Sequence, residues 1–173
     1  FHRAAAAVQA GDLATAERLA RQVLEHAPRH PVALHLLGAA YLRQGRLREA
    51  CDALSRAAAI DTGNPQVLED LAVAELSSGE YARAETRWRR AIALGKRDAA
   101  AWSWLGITLA SQGRHPDAAE CFAAAAAAAP DDPGMHLNLG NAHRALGAAA
   151  KAARCYETAL ALFHQRYSTN TFP

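Results

Sequence analysis

Glycine recurs at Gly11, Gly45, Gly79, Gly113 and Gly147, a step of 34 residues with no insertion from first to last. Ala16, Ala50, Ala84, Ala118 and Ala152 keep the same step, as do Leu37, Leu71, Leu105 and Leu139. Pro31, Pro65 and Pro133 follow it too, with Ala99 standing in once. A period held this strictly restricts the chain to stacked copies of one supersecondary unit. Each copy is too small to bury its own apolar face and is completed by its neighbours.

The kind of unit follows from composition. Of 173 residues 51% are hydrophobic, mostly Ala with Leu, and only 6% are aromatic. Small side chains of high helix propensity favour closely approaching helices over a thick β-sandwich. Lys and Arg number 19 against 17 Asp and Glu, a formal charge of +2, too weak a field to point to nucleic acid or to an anionic membrane. Apolar runs fall short of the roughly 18 residues that span a bilayer. Cys51, Cys121 and Cys155 form no Cys-x-x-Cys pair, and their odd number argues against a disulfide framework. A reducing, cytoplasmic setting is the expectation. The start at Phe1 reads as that of an excised fragment, without a visible targeting segment.

With Pro31 as position 1, position 8 is Gly38, Ala72, Gly106 and Gly140, and position 24 is Leu54, Trp88, Phe122 and Tyr156. Position 27 is Ala57, Ala91, Ala125 and Ala159. At about 100° per residue, positions 4, 7, 8 and 11 of a first helix A share a stripe, so Leu34, Leu37, Gly38 and Tyr41 are expected to face a second helix B. Small residues at 8 and 20 let the backbones approach, and the large residue at 24 fills the space beyond. Gly at 15 suits the positive φ that ends helix A. Asp12, Glu80 and Asp117 or Glu120 then stand near the start of helix B, where negative charge suits the helix dipole.

This pattern resembles the tetratricopeptide repeat, a helix–turn–helix unit of 34 residues. The resemblance implies an all-α, right-handed solenoid over residues 1–162, in repeats of approximately 1–30, 31–64, 65–98, 99–132 and 133–162, with 163–173 as a non-repeat tail. Departures are local. Glu75 and His143 take the place filled by Tyr41, Lys96 and Thr62 replace the turn prolines kept as Pro28 and Pro130, and Ala20 is small where position 24 is otherwise large. Helix B of the fourth repeat carries Ala125, Ala126 and Ala128 where the preceding repeat has Ala91, Ile92 and Leu94, so it is expected to be the weak unit.

The fold implies that A helices line a concave groove, made by positions 2, 5, 6, 9, 12 and 13. His35, Arg43, Glu69, Asp70, Trp104, Asn138, Asn141 and Arg144 stand at these offsets and are the candidate peptide-binding residues. Apolar stretches, acids in the middle and amides at the end suit an extended peptide, which needs partners for its backbone and pockets for a few side chains. The Lys, Asn and Arg clamp by which related co-chaperones hold a C-terminal carboxylate is absent. Asn138-Leu139-Gly140-Asn141 resembles the repeats that precede the catalytic domain of O-linked N-acetylglucosamine transferases, which leaves a substrate-recruiting module of such an enzyme as the alternative to a free-standing scaffold.

No catalytic, cofactor or metal constellation emerges. His136 and His143 occupy packing positions, and Cys121 and Cys155, at the same repeat position, are too far apart for a disulfide. Glu69 with Asp70 reads as a solvated acidic patch, and Arg83, Arg87 and Arg90 as a solvated outer stripe of helix B. The tail His164 to Pro173 resembles a motif of the glutaminase domain of glutamate synthases, in which Arg166 would help to hold glutamine. Residues past about 166 are expected to be extended. The partner expected is a protein or peptide, with self-association through the tail or the uncapped solenoid ends as a further possibility.

Overall fold

The computed structural model describes residues 2–168. Among them are ten helices and no strand: α1 (His2–Ala10), α2 (Leu13–His26), α3 (Pro31–Arg43), α4 (Leu47–Ile60), α5 (Pro65–Ser77), α6 (Tyr81–Ala93), α7 (Ala99–Ser111), α8 (His115–Ala128), α9 (Pro133–Ala145) and α10 (Ala149–Ser168). Odd-numbered helices are the A helices and even-numbered ones the B helices of five pairs. The chain divides into two compact units, Phe1–Lys96 and Arg97–Pro173.

Each helix boundary has a local cause. Pro31, Pro65 and Pro133 open their helices, where a missing N–H costs nothing. Asn64, Asp98 and Asp132 cap the A helices through side-chain oxygens that accept backbone N–H bonds, and Asp12 does so for α2. The five period glycines all sit at φ between 71° and 79°, and the next N–H returns to the last turn of helix A, as from Arg46 to Tyr41 O at 2.9 Å and from Glu80 to Glu75 O at 2.8 Å. A sixth such glycine, Gly95 at φ 102°, lies where the turn proline is missing. There α6 stops at Ala93, and the Lys96 N–H bonds Ala91 O at 3.0 Å. The boundary between the units falls directly after this altered turn.

Within each unit the construction is that of an α-solenoid. Every A helix packs on its own B helix, each B helix packs on the next A helix, and successive A helices touch, whereas successive B helices stay apart. The expected stripe is buried: Leu34, Leu37, Gly38 and Tyr41 in α3, and Leu105, Gly106 and Leu109 in α7. A second stripe goes beyond that reading. Positions 3 and 10 are also enclosed, as Ala33 and Ala40, Val67 and Ala74, and Ala101 and Thr108; Ala40 packs against Ala7 and Ala16 of the first pair, and Val67 against Ala57 of the second. Buried Thr108 stays satisfied by donating to Trp104 O at 2.8 Å. In the fourth pair only one of the compared losses concerns core. Ala126 replaces Ile92 at a buried site, whereas Leu94, the counterpart of Ala128, is itself exposed.

Two expectations need correction. Helix α10 runs unbroken to Ser168, so residues 163–168 continue helix B and residues 167 and 168 are not extended. Ala161, Leu162, Gln165 and Arg166 are good helix formers, and no Gly or Pro interrupts them. Residues 169–173 lie outside the described residues. Nor are Arg83 and Arg87 merely solvated. Glu75 is fully buried, with Oε1 at 3.2 Å from Arg83 Nε and 3.6 Å from Arg87 Nε. Burial pushes its carboxyl above the ordinary glutamate range, against the pull of Arg87 and Arg83.

Close approach at position 8 gives the first test. A Cβ on Gly38 would meet Leu54 Cγ at 2.5 Å and the Leu54 backbone N at 3.3 Å, and Leu54 has no exposed surface to yield into. Overpacking costs about 1–3 kcal/mol, whereas the propensity gain from Gly to Ala in a helix is about 1 kcal/mol. Gly38→Ala is therefore expected to lower stability by up to about 2 kcal/mol in denaturant melts. Equal or raised stability would show that the approach is not tight.

Glu75 gives the second. Its folded pKa is raised, so the stability it contributes is complete below the unfolded-state value and is lost as pH rises through the folded one. Arg83 and Arg87 keep 51% and 34% of their side chains exposed and would be hydrated without it. Glu75→Leu, the residue type of Leu109 at the same repeat position, is expected to gain about 1–4 kcal/mol at neutral pH and to gain less below pH 4. A lower melting temperature than the parent at pH 7 would contradict this.

Candidate functional site

The A-helix face carries all eight candidate residues, and the structure sorts them into two groups. In the first unit each binds a neighbouring side chain or the backbone. His35 Nε2 lies 2.7 Å from Asp70 Oδ2, joining position 5 of α3 to position 6 of α5. Gln66 Nε2 donates to the other Asp70 oxygen at 3.4 Å. Glu69 pairs with Lys96 Nζ at 3.1 Å, and Arg43 Nη1 donates to the carbonyl of Val8 on α1. Glu69 and Asp70 are thus half-buried and engaged, not the solvated patch expected from the sequence.

In the second unit the same bridge recurs with neutral groups. Asn138 Nδ2 donates to Ser103 Oγ at 3.1 Å, again position 6 to position 5 of the preceding A helix. One turn later Asn141 Oδ1 accepts from Tyr156 Oη on α10 at 2.9 Å. These two bonds polarise the pair. The Oδ1 acceptor of Asn138 and the Nδ2 donors of Asn141 have no protein partner among the described residues. Residues three apart on a helix share a face, so an acceptor and a donor stand side by side.

Both asparagines line a pocket of about 390 Å³ with Ile107, Ala110, Ser111, His115, Phe122, Ala142 and Ala145. Its apolar wall comes from Ile107, Ala110, Ala142 and the buried Phe122, the residue at position 24. Trp104 is 36% exposed on α7, and Arg144 is exposed on α9. His136 is half-buried, with Nε2 2.8 Å from Pro130 O, and among the described residues no three His, Cys, Asp or Glu gather as metal ligands. Cys51, Cys121 and Cys155 form no disulfide among the described residues. No helix of the described residues is long and apolar enough to cross a membrane.

The sequence placed Asn138 and Asn141 at positions 6 and 9 of their A helix but missed the polarisation. It depends on Ser103 and Tyr156, which lie 35 and 15 residues away. Ser103 was visible at position 5, and the 35-residue offset shared with His35 and Asp70 was the available signal.

Comparison with known proteins agrees with this architecture. Three tetratricopeptide repeat models match residues 7–57, 69–133 and 133–163. None reaches beyond residue 163, so the glutamate synthase resemblance of the tail has no support. No curated protein matches the chain by sequence. Among solved structures, a crystal structure of MamA superposes with a TM-score of 0.89 at 25% identity, covering 95% of this chain and 96% of that one. A second MamA structure gives 0.87 at 24% identity, covering 98% and 92%. MamA residues 41 to the end from Desulfovibrio magneticus RS-1 gives 0.89 at 17% identity, covering 95% and 93%. With its 34-residue period, its small-against-large helix contacts and family models that span most of its length, the chain belongs to the tetratricopeptide repeat family.

Proposed function

We propose that this protein is a non-catalytic scaffold whose A-helix face holds an extended segment of a partner protein, with Asn138 and Asn141 as the principal contacts. The polarised pair carries this reading. An extended peptide presents an N–H and a C=O from each residue pair, and Asn138 Oδ1 with Asn141 Nδ2 supplies the complementary acceptor and donor. The adjoining pocket of about 390 Å³ has room for an aliphatic or aromatic side chain of the same segment. Trp104 and Arg144 extend the face with a flat apolar surface and a cation. His35 with Asp70 ties α3 to α5, Arg43 ties α3 to α1, and Glu69 ties α5 to Lys96 in the turn after α6, so these four side chains serve chiefly to fix the spacing of the first unit's helices.

Peptides selected from a random display library against the whole protein test the assignment. Asn138→Ala with Asn141→Ala is expected to weaken the selected peptides at least tenfold, from two hydrogen bonds at about 1 kcal/mol each, and Trp104→Ala by less. Unchanged affinity in the double variant would remove the groove assignment.

A second reading, self-association, is favoured by apolar surface at the last helix pair. Leu137, Leu146, Leu160 and Phe163 are 43%, 42%, 55% and 39% exposed, where another pair would stack in a longer array. Leu160→Lys is expected to lower the weight-average mass seen by light scattering at high concentration. An equal mass for both proteins at every concentration would dismiss it.

A further inference from the structure

The B helices of successive pairs stay apart, and the gap between α4 and α6 in the first unit forms a cleft of about 300 Å³. Ser55 of α4, Thr62 of the following turn, and Arg87 and Arg90 of α6 are its polar lining. Ala58, Ala59 and Leu68 complete it. Two guanidinium groups and two hydroxyls meet there with no carboxylate among the lining residues.

The arginines of α6 differ in what they already hold. Arg89 Nε bonds Glu85 Oε1 at 3.0 Å, and Arg83 Nη1 bonds Glu80 Oε2 at 3.0 Å while its Nε faces Glu75. Arg87 Nε stands 3.6 Å from the buried Glu75 carboxylate, an ion-pair distance that leaves its other donors for a further acceptor. Arg90 is exposed and makes no ion pair or side-chain hydrogen bond among the described residues. It lies three residues from Arg87, on the same side of the helix. The hydroxyls of Ser55 and Thr62 likewise hold no bond among the described residues.

We propose that this cleft binds a phosphate monoester. Arginine presents a planar fork that matches phosphate oxygens two at a time, and the dianion carries three acceptor oxygens. Two forks and two hydroxyls exceed what the two oxygens of a carboxylate can accept at once. The phosphate fills only part of the cleft, and Ala58, Ala59 and Leu68 leave an apolar wall for the esterified carbon chain. A phosphorylated small molecule and a phosphorylated side chain share this chemistry. The site lies in the first unit, apart from the asparagine pair, so the two assignments stand or fall separately.

Amide NMR titration of the whole protein, at constant ionic strength set with chloride, tests the site. The probes are phenyl phosphate, a phosphoserine hexapeptide and the same hexapeptide without phosphate. Both phosphorylated probes are expected to shift amides in residues 55–62 and 87–90, and the tighter of the two identifies the source. Arg90→Gln is expected to weaken binding about tenfold through loss of a charge-assisted bond, Ser55→Ala with Thr62→Val by a smaller factor, and Arg89→Gln not at all. Equal losses in Arg89→Gln and Arg90→Gln would reduce the effect to diffuse attraction and overturn the proposal. So would equal binding of the unphosphorylated peptide, or no shifts beyond those caused by chloride.

Discussion

In four of the five pairs, the contact on which the remaining structure depends is between a residue without bulk at position 8 of helix A and a large one at position 24 of helix B. Leu54 lies against Gly38, Phe122 against Gly106 and Tyr156 against Gly140, each so close that a Cβ on the glycine would fall within 2.7 Å of it. Trp88, with Ala72, is wholly buried in the third pair. This contact sets the distance between the helices of a pair, and so, within the first unit, where the stripe at positions 3 and 10 meets the preceding pair. A repeat protein has no central core to absorb errors, so the same small-against-large solution has to recur in each copy.

Because A helices touch and B helices do not, the two faces of a unit acquire different chemistry. Along the A face, side chains one repeat apart reach each other: His35 reaches Asp70, and Ser103 reaches Asn138. These bonds tie neighbouring helices and, for the asparagines, leave directional hydrogen-bonding capacity turned outward. Between B helices there are clefts instead, lined by whatever the repeat leaves variable. The α4–α6 cleft is cationic because the arginines of α6 outnumber its acids and one acid, Glu75, is withdrawn into the core.

Glu75 illustrates how a variable position is accommodated. Position 11 is Tyr41, Glu75, Leu109 and His143 in successive pairs. Tyr41 accepts a bond from Arg21 Nη2 at 2.8 Å, and Glu75 draws in Arg83 and Arg87. A polar group enclosed by the A–B contact has to find a partner there, since an unpaired one costs several kcal/mol. The arginines at positions 19 and 23 can be read in the sequence, but they look solvated until the carboxylate is known to point inward.

The sequence by itself determined the fold. Its period, its glycines at the turns, its prolines and caps at the helix starts and its small and large residues at fixed offsets are all local or repeat-wise signals, and each acts within a turn or two of the residue that carries it or within a single repeat. Tertiary structure alone decided which polar groups remain available. Asn138 and Asn141 became an acceptor and donor pair through Ser103 and Tyr156, Asp70 was taken by His35, and among the described residues Arg90 was left without an ion pair while Arg83, Arg87 and Arg89 were not. Hydrogen-bond capacity is used up by whichever partner comes within 3 Å or so, and that distance is set by the packing of separate helices, which residue spacing along the chain does not encode.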